Sequence, residues 1–224
     1  MTEHDSTSDL NWPATLGIVD IPSAQKRASE GRELILAAAR NVTRAGDFTL
    51  MDMVLWGMVT RLQSFHEAAV SACEATNPHA AYTLIRAYAE QCAALIYAID
   101  HPDKAERLWR DPDGHGVPIG KMTSYADRND RIGNFRLLYD RLSKYAHPSQ
   151  LAHYAGMRVE DDRERAMSWQ SSPRFKSDDE VLIAYGWIYE LAEAGAKLVV
   201  EFALIHGLRP RSDLSQRAHR TANE

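Results

Sequence analysis

The sequence predicts an all-α fold, a helical bundle with long antiparallel helices, and three observations support that prediction. Apolar residues recur at helical spacing over several long stretches. Capping residues precede those stretches and Gly or Pro follows them. The connections between them are short, as antiparallel neighbours require. Residues 154–170 break the pattern. Tyr154, Met157 and Val159, then Met167 and Trp169, alternate weakly around a charged centre, which fits one short β-hairpin.

Taken in order, residues 1–20 are rich in Ser, Thr and Asp and read as a flexible N-terminal tail, its end near Trp12 and Ile18 docking on the body. The body, residues 21–207, is expected to form one helical bundle domain. Its first helix runs from Ser23 to Arg44, with Leu34, Ile35, Ala38 and Val42 at helical spacing and Ala45-Gly46 closing it. Asp47 or Thr49 caps a second helix, which carries Met53, Trp56, Val59, Leu62 and Ala69 and ends at Asn77-Pro78. The third helix spans Pro78 to Asp100 with hardly any polar face, so it should be the central, buried one. His101-Pro102 breaks it, and a short helix over 103–110 leads into a turn-rich loop over 111–120. Helical pattern resumes near Lys121 and is strong from Asn134 to Ala146, where Pro148 stops it. Ser177 with Glu180 reads as a capping box that opens a last helix, ended by Gly207. Residues 208–224 read as a disordered C-terminal tail.

Composition narrows the function classes. The chain of 224 residues is 45% hydrophobic and 25% charged, ordinary for a globular protein with a real core. A net charge of −5 excludes a general polycation, so any nucleic-acid contact must come from a few placed arginines. No apolar run reaches the roughly 20 residues that span a bilayer, and the polar start lacks a secretory apolar core. With two cysteines only, Cys73 and Cys92, both in apolar surroundings, a reducing cytoplasmic setting is expected and no membrane.

The chemistry-bearing residues concentrate in two places. Arg86 and Glu90, four apart on the most apolar helix, must be paired or wetted, because an isolated buried charge costs several kcal/mol. They either form a buried ion pair that fixes packing or line a polar cleft. Arg141 and His147 flank the end of another helix. Six residues turn an ideal helix by about 600°, so the two side chains would point roughly 120° apart unless Pro148 re-aims the histidine. Once together, an imidazole that exchanges protons near neutral pH and a guanidinium that clamps phosphate supply the minimum for cleaving RNA without metal. The plainer alternative is a helix-end His147 on local backbone with Arg141 in a surface ion pair. Despite nine histidines, there is no zinc-protease spacing, Cys-x-x-Cys pair, phosphate-cradling glycine loop or nucleophile elbow, so no metal site and no cofactor is implied.

An arginine, a spacer of four to six residues and a histidine at a helix C-terminus resembles the signature of the HEPN superfamily. Arg86-x-x-x-Glu90 followed by Tyr139-x-x-Leu142-Ser143-x-x-x-His147-Pro148 also resembles a group of uncharacterised bacterial helical proteins. The likeness covers roughly residues 78–150. It implies a helical, dimeric, metal-independent ribonuclease of the kind found in toxin–antitoxin and antiphage systems. In that role His147 and Arg141 would be catalytic, with Arg86, Glu90, Ser143 and Tyr145 accessory. RNA would be the substrate, and a neutralising protein a further partner. HEPN nucleases commonly carry a polar residue after the arginine, whereas this chain has Leu142, with Ser143 the nearest polar substitute. Two other readings stand beside the enzyme: a partner-binding or nucleotide-sensing module of the same fold, and a structural homodimer.

Overall fold

The computed structural model describes residues 12–42, 48–106, 116–129, 131–147, 152–153, 157–161, 166–169 and 172–208. Among them the protein is an all-α helical bundle. Its helices are α1 (Trp12–Thr15), α2 (Ile21–Val42), α3 (Leu50–Glu74), α4 (Pro78–Asp100), α5 (Pro102–Ala105), α6 (Ile119–Asn129), α7 (Phe135–Ala146) and α8 (Asp178–Ile205). One small hairpin joins them. Strand β1 (Met157–Asp161) pairs antiparallel with β2 (Ala166–Trp169), Met157 opposite Trp169 and Val159 opposite Met167, with a register shift between Val159 and Asp161.

Side-chain caps explain the starts of the four longest helices. Asp20 accepts the Ser23 backbone N–H at 2.8 Å while Ser23 Oγ accepts the Asp20 N–H at 3.0 Å, so α2 begins two residues before Ser23. Of the two candidate caps for α3, Thr49 is used, and the Asp52 carboxylate accepts its backbone N–H at 2.7 Å. Asn77 Oδ1 caps α4 through the Ala80 N–H at 3.1 Å. For α8 the capping box is displaced by one residue. Ser177 Oγ accepts the Glu180 N–H, but the Glu180 carboxylate reaches back to the Lys176 N–H at 2.9 Å rather than to Ser177.

At the other end, α8 closes with a Schellman motif. The Leu208 N–H bonds the Ala203 carbonyl and the Gly207 N–H bonds that of Leu204, with Gly207 at φ +67°. The apolar residue that follows, Leu208, is buried. The same pair of bonds ends α3, where Thr76 takes the left-handed position at φ +53°. Helix α5 spans Pro102–Ala105, starting one residue before the expected stretch 103–110, and residues 107–110 of that stretch lie outside the described residues. The expected tails, residues 1–11 and 209–224, also lie outside them.

The chain divides into two compact units. It passes from the first to the second within α2, returns within α3 and passes over again within α4.

The first unit comprises residues 1–32, 65–87 and 136–190. Its core includes Ile18, Ala28, Cys73, Tyr82, Ile85, Leu138, Leu142, Phe175, Tyr185, Trp187 and Ile188. From Trp12 onward the N-terminal segment is anchored on the first unit. Arg27 Nε donates to the Leu16 carbonyl at 2.6 Å, and its guanidinium lies 5.2 Å from the Tyr189 ring centre. The Trp12 indole packs on Gly186, where an added Cβ would overlap Cη2 and lie 2.9 Å from Cζ3. Gly186→Ala should therefore displace Trp12, lowering stability by about 1–3 kcal/mol. Thermal melts of Gly186→Ala, Trp12→Ala and the pair check this, with the double variant no less stable than the worse single one.

The second unit comprises residues 33–64, 88–135 and 191–224. Here α4 is buried almost without interruption from Tyr88 to Ile99, as its apolar pattern demands. Gly195 lets α8 approach closely, since a Cβ there would lie 3.3 Å from Leu62 and 3.7 Å from Cys92 Sγ. Arg131 ties the start of the α6–α7 connection to two helices, donating to Asp100 at 2.6 Å and to Glu201 at 2.7 Å. Tyr125 and Asn129 donate to the other Asp100 oxygen. Cys73 and Cys92, one in each unit, are free and buried, and burial pushes each thiol up to about 12.

Two histidines make the fold acid-sensitive. In the first unit, buried His66 donates its Nε2–H to the Ala28 carbonyl at 2.9 Å. In the second, His206 packs its ring 4.2 Å from that of Phe202. Burial holds both below the ordinary 6.5, because the charged ring loses hydration that its neighbours do not replace. The unfolded chain then binds protons more readily than the folded one, so stability present above about pH 6.5 is lost as pH falls below it. Urea midpoints should fall between pH about 7.5 and about 5, and less steeply in His66→Gln. An unchanged pH slope in that variant would remove His66 from the explanation.

Candidate functional site

Helix α7 carries Arg141, Ser143 and Tyr145 and leads into His147, and its apolar pattern fixes where they point. Phe135, Leu138 and Leu142 form the buried ridge, Leu142 with no exposed surface. Residues four apart share a helix flank, so Tyr139, Ser143 and His147 lie on one side of the ridge and Arg141 and Tyr145 on the other. The His147 N–H still bonds the Ser143 carbonyl at 3.0 Å, so the histidine follows the course of the helix. Pro148 lies outside the described residues.

His147 meets Arg86 rather than Arg141. Arg86 Nη1 lies 3.2 Å from His147 Nε2, and Nη2 donates to the Tyr139 hydroxyl at 3.0 Å. The guanidinium also lies 5.2 Å from the Tyr139 ring centre. A guanidinium has no acceptor, so Nε2 accepts and the ring proton lies on Nδ1. Arg86 and Tyr139 are half-buried and His147 is exposed. The trio is an anchored guanidinium presented to an imidazole that faces solvent.

Arg141 occupies the other flank. Its guanidinium lies 5.5 Å from the Trp187 ring centre, and it makes no hydrogen bond or ion pair among the described residues. The surface ion pair considered for Arg141 is thus absent among them. Beside it, Tyr145 packs on Tyr82 with ring centres 4.3 Å apart, and Tyr82 meets Phe175 edge-on at 5.7 Å and Trp187 at 6.0 Å. Burial, then the charge of Glu180, pushes the Tyr82 and Tyr145 hydroxyls above the ordinary tyrosine range, opposed by Arg141. Both phenols therefore stay protonated at neutral pH.

Ser143 is half-buried and supplies its carbonyl to the helix end. Glu90, half-buried one turn beyond Arg86 on α4, belongs to the second unit, whereas the other candidate residues belong to the first. Among the described residues, no three His, Cys, Asp or Glu side chains cluster to hold a metal ion. No described helix is long and apolar enough to cross a membrane.

Sequence reasoning did not assign Tyr139 a role. Its signal was available, because Tyr139, Ser143 and His147 recur at a spacing of four. Which helix would pass that flank was not legible.

In comparisons with protein-family models, with curated proteins and with solved structures, nothing matches the chain.

Proposed function

We propose that the protein is a HEPN-like, metal-independent endoribonuclease that works as a cytoplasmic homodimer on single-stranded RNA. The observation that carries this reading is the 3.2 Å approach of Arg86 to the exposed His147. It pairs a proton carrier with an anion clamp, which RNA cleavage by internal transfer needs. A bound phosphate would draw Nη1 off Nε2 and onto a non-bridging oxygen. Nε2 then takes the 2′-hydroxyl proton, the 2′-oxygen bonds to phosphorus and the bond to the 5′-oxygen breaks. The departing oxygen takes its proton from the His147 imidazolium so formed, leaving 2′,3′-cyclic phosphate and 5′-hydroxyl ends and a neutral imidazole. Arg141, on the opposite flank, contributes to binding the strand rather than to the reacting phosphate.

The test is incubation of purified protein with single-stranded RNA, with and without EDTA. The expected result is EDTA-resistant cleavage that leaves cyclic phosphate ends. RNA binding without cleavage would overturn the enzymatic reading.

A second reading, a partner-binding or nucleotide-sensing module, draws support from the separation of Arg141 from His147. It predicts that His147→Ala retains function in cells while substitutions on an interface helix abolish it.

A further inference from the structure

We infer that Tyr139 is a positioning residue, holding the Arg86 guanidinium so that Nη1 is presented to His147 Nε2. The inference rests on Arg86 and His147 being the reacting pair, and it gives a role to Tyr139, which the two-part pattern contains without one. Arginine has a long side chain with much rotational freedom, so a single contact does not fix its head group. Tyr139 restrains it twice: the hydroxyl accepts from Nη2 at 3.0 Å, and the ring centre lies 5.2 Å from the guanidinium carbon. Because the guanidinium is planar, fixing Nη2 in this way sets the direction of Nη1, which lies 3.2 Å from Nε2. That contact selects the Nδ1–H form of the neutral ring, the less favoured tautomer of a free imidazole. It also leaves the exposed Nε2 as the atom that accepts a substrate proton once Nη1 transfers to an anion. Tyr139 and His147 are eight residues apart on one flank of α7 and its end, so a single helix delivers these two contacts to Arg86.

Tyr139→Phe in the full-length chain tests this, because it keeps the ring and removes the hydroxyl. The direct readout is the side-chain nitrogen resonances of His147, assigned by their loss in His147→Gln and recorded near pH about 8 where a free histidine is neutral. The wild type should show the Nδ1–H tautomer, and Tyr139→Phe should shift it toward Nε2–H. With RNA as substrate, kcat should fall about tenfold with KM little changed, since the aim of Arg86 matters most in the transition state. Unchanged resonances in Tyr139→Phe, or an Nε2–H wild type, would overturn the inference. If the tautomer shifts as expected but the wild type cleaves no RNA, the positioning role stands and the ribonuclease reading falls. If the wild type cleaves RNA and the tautomer does not respond, the reverse holds.

Discussion

Arg86→Ala should lower kcat for RNA cleavage by about 10²–10³-fold, the range for removing one group that stabilises transition-state charge. His147→Ala should cost about 10²–10⁴-fold, the range for losing a general acid–base. Arg141→Ala should cost about tenfold or less and mainly raise KM, because its guanidinium lies over Trp187 on the opposite flank of α7. This order departs from the sequence expectation, in which Arg141 was the partner of His147. A gel assay of the three variants at saturating RNA checks it. A loss in Arg141→Ala as large as that in His147→Ala would restore the sequence pairing.

Leu142→Asn should destabilise the protein rather than activate it. The resemblance to HEPN nucleases, which commonly carry a polar residue after the arginine, makes asparagine the substitution that pattern would choose. The structure gives a reason for leucine: the position is fully buried on the α7 ridge between Leu138 and the helix end. Asparagine would remove apolar contacts and bury an amide, at a cost of about 2–4 kcal/mol. For a chain of this size that lowers the melting temperature by roughly 4–16 °C. Circular dichroism melts check it, with Ser143→Ala, half-buried and placed for no such role, as the mild comparison. A Leu142→Asn protein as stable as wild type with higher activity would mean that the residue faces the site.

Much of the fold was legible because local chemistry and tertiary demand agree. Helix α4 spans Pro78–Asp100 as the sequence suggested, since Asn77 can cap it, proline suits its first turn and His101-Pro102 ends it. Gly207 marked the end of α8 for the same reason: its left-handed backbone suits glycine. Helix α5 begins at Pro102, one residue before the expected start, because proline suits the first turn of a helix even where the His101 side chain makes no capping bond.

The site was half legible. The histidine before a proline at a helix end marked His147, and a charge on an apolar helix marked Arg86. Their pairing depends on which face of α7 meets α4, and periodicity within one helix does not encode that. The expected re-aiming of His147 toward Arg141 is not seen within the chain: the two occupy different flanks, and the His147 N–H bond to Ser143 keeps the histidine in the helical course. What had looked like two separate features, Arg86 on α4 and His147 on α7, is one contact.

The pairing of Arg86 with His147 is tested most directly by a double-mutant cycle on kcat for RNA cleavage. If the two act on the same reacting phosphate as one unit, Arg86→Ala/His147→Ala should lose little more than His147→Ala alone. Losses that multiply, or an Arg86→Ala enzyme close to wild type, would contradict a shared site and return His147 to a helix end with no arginine at work beside it.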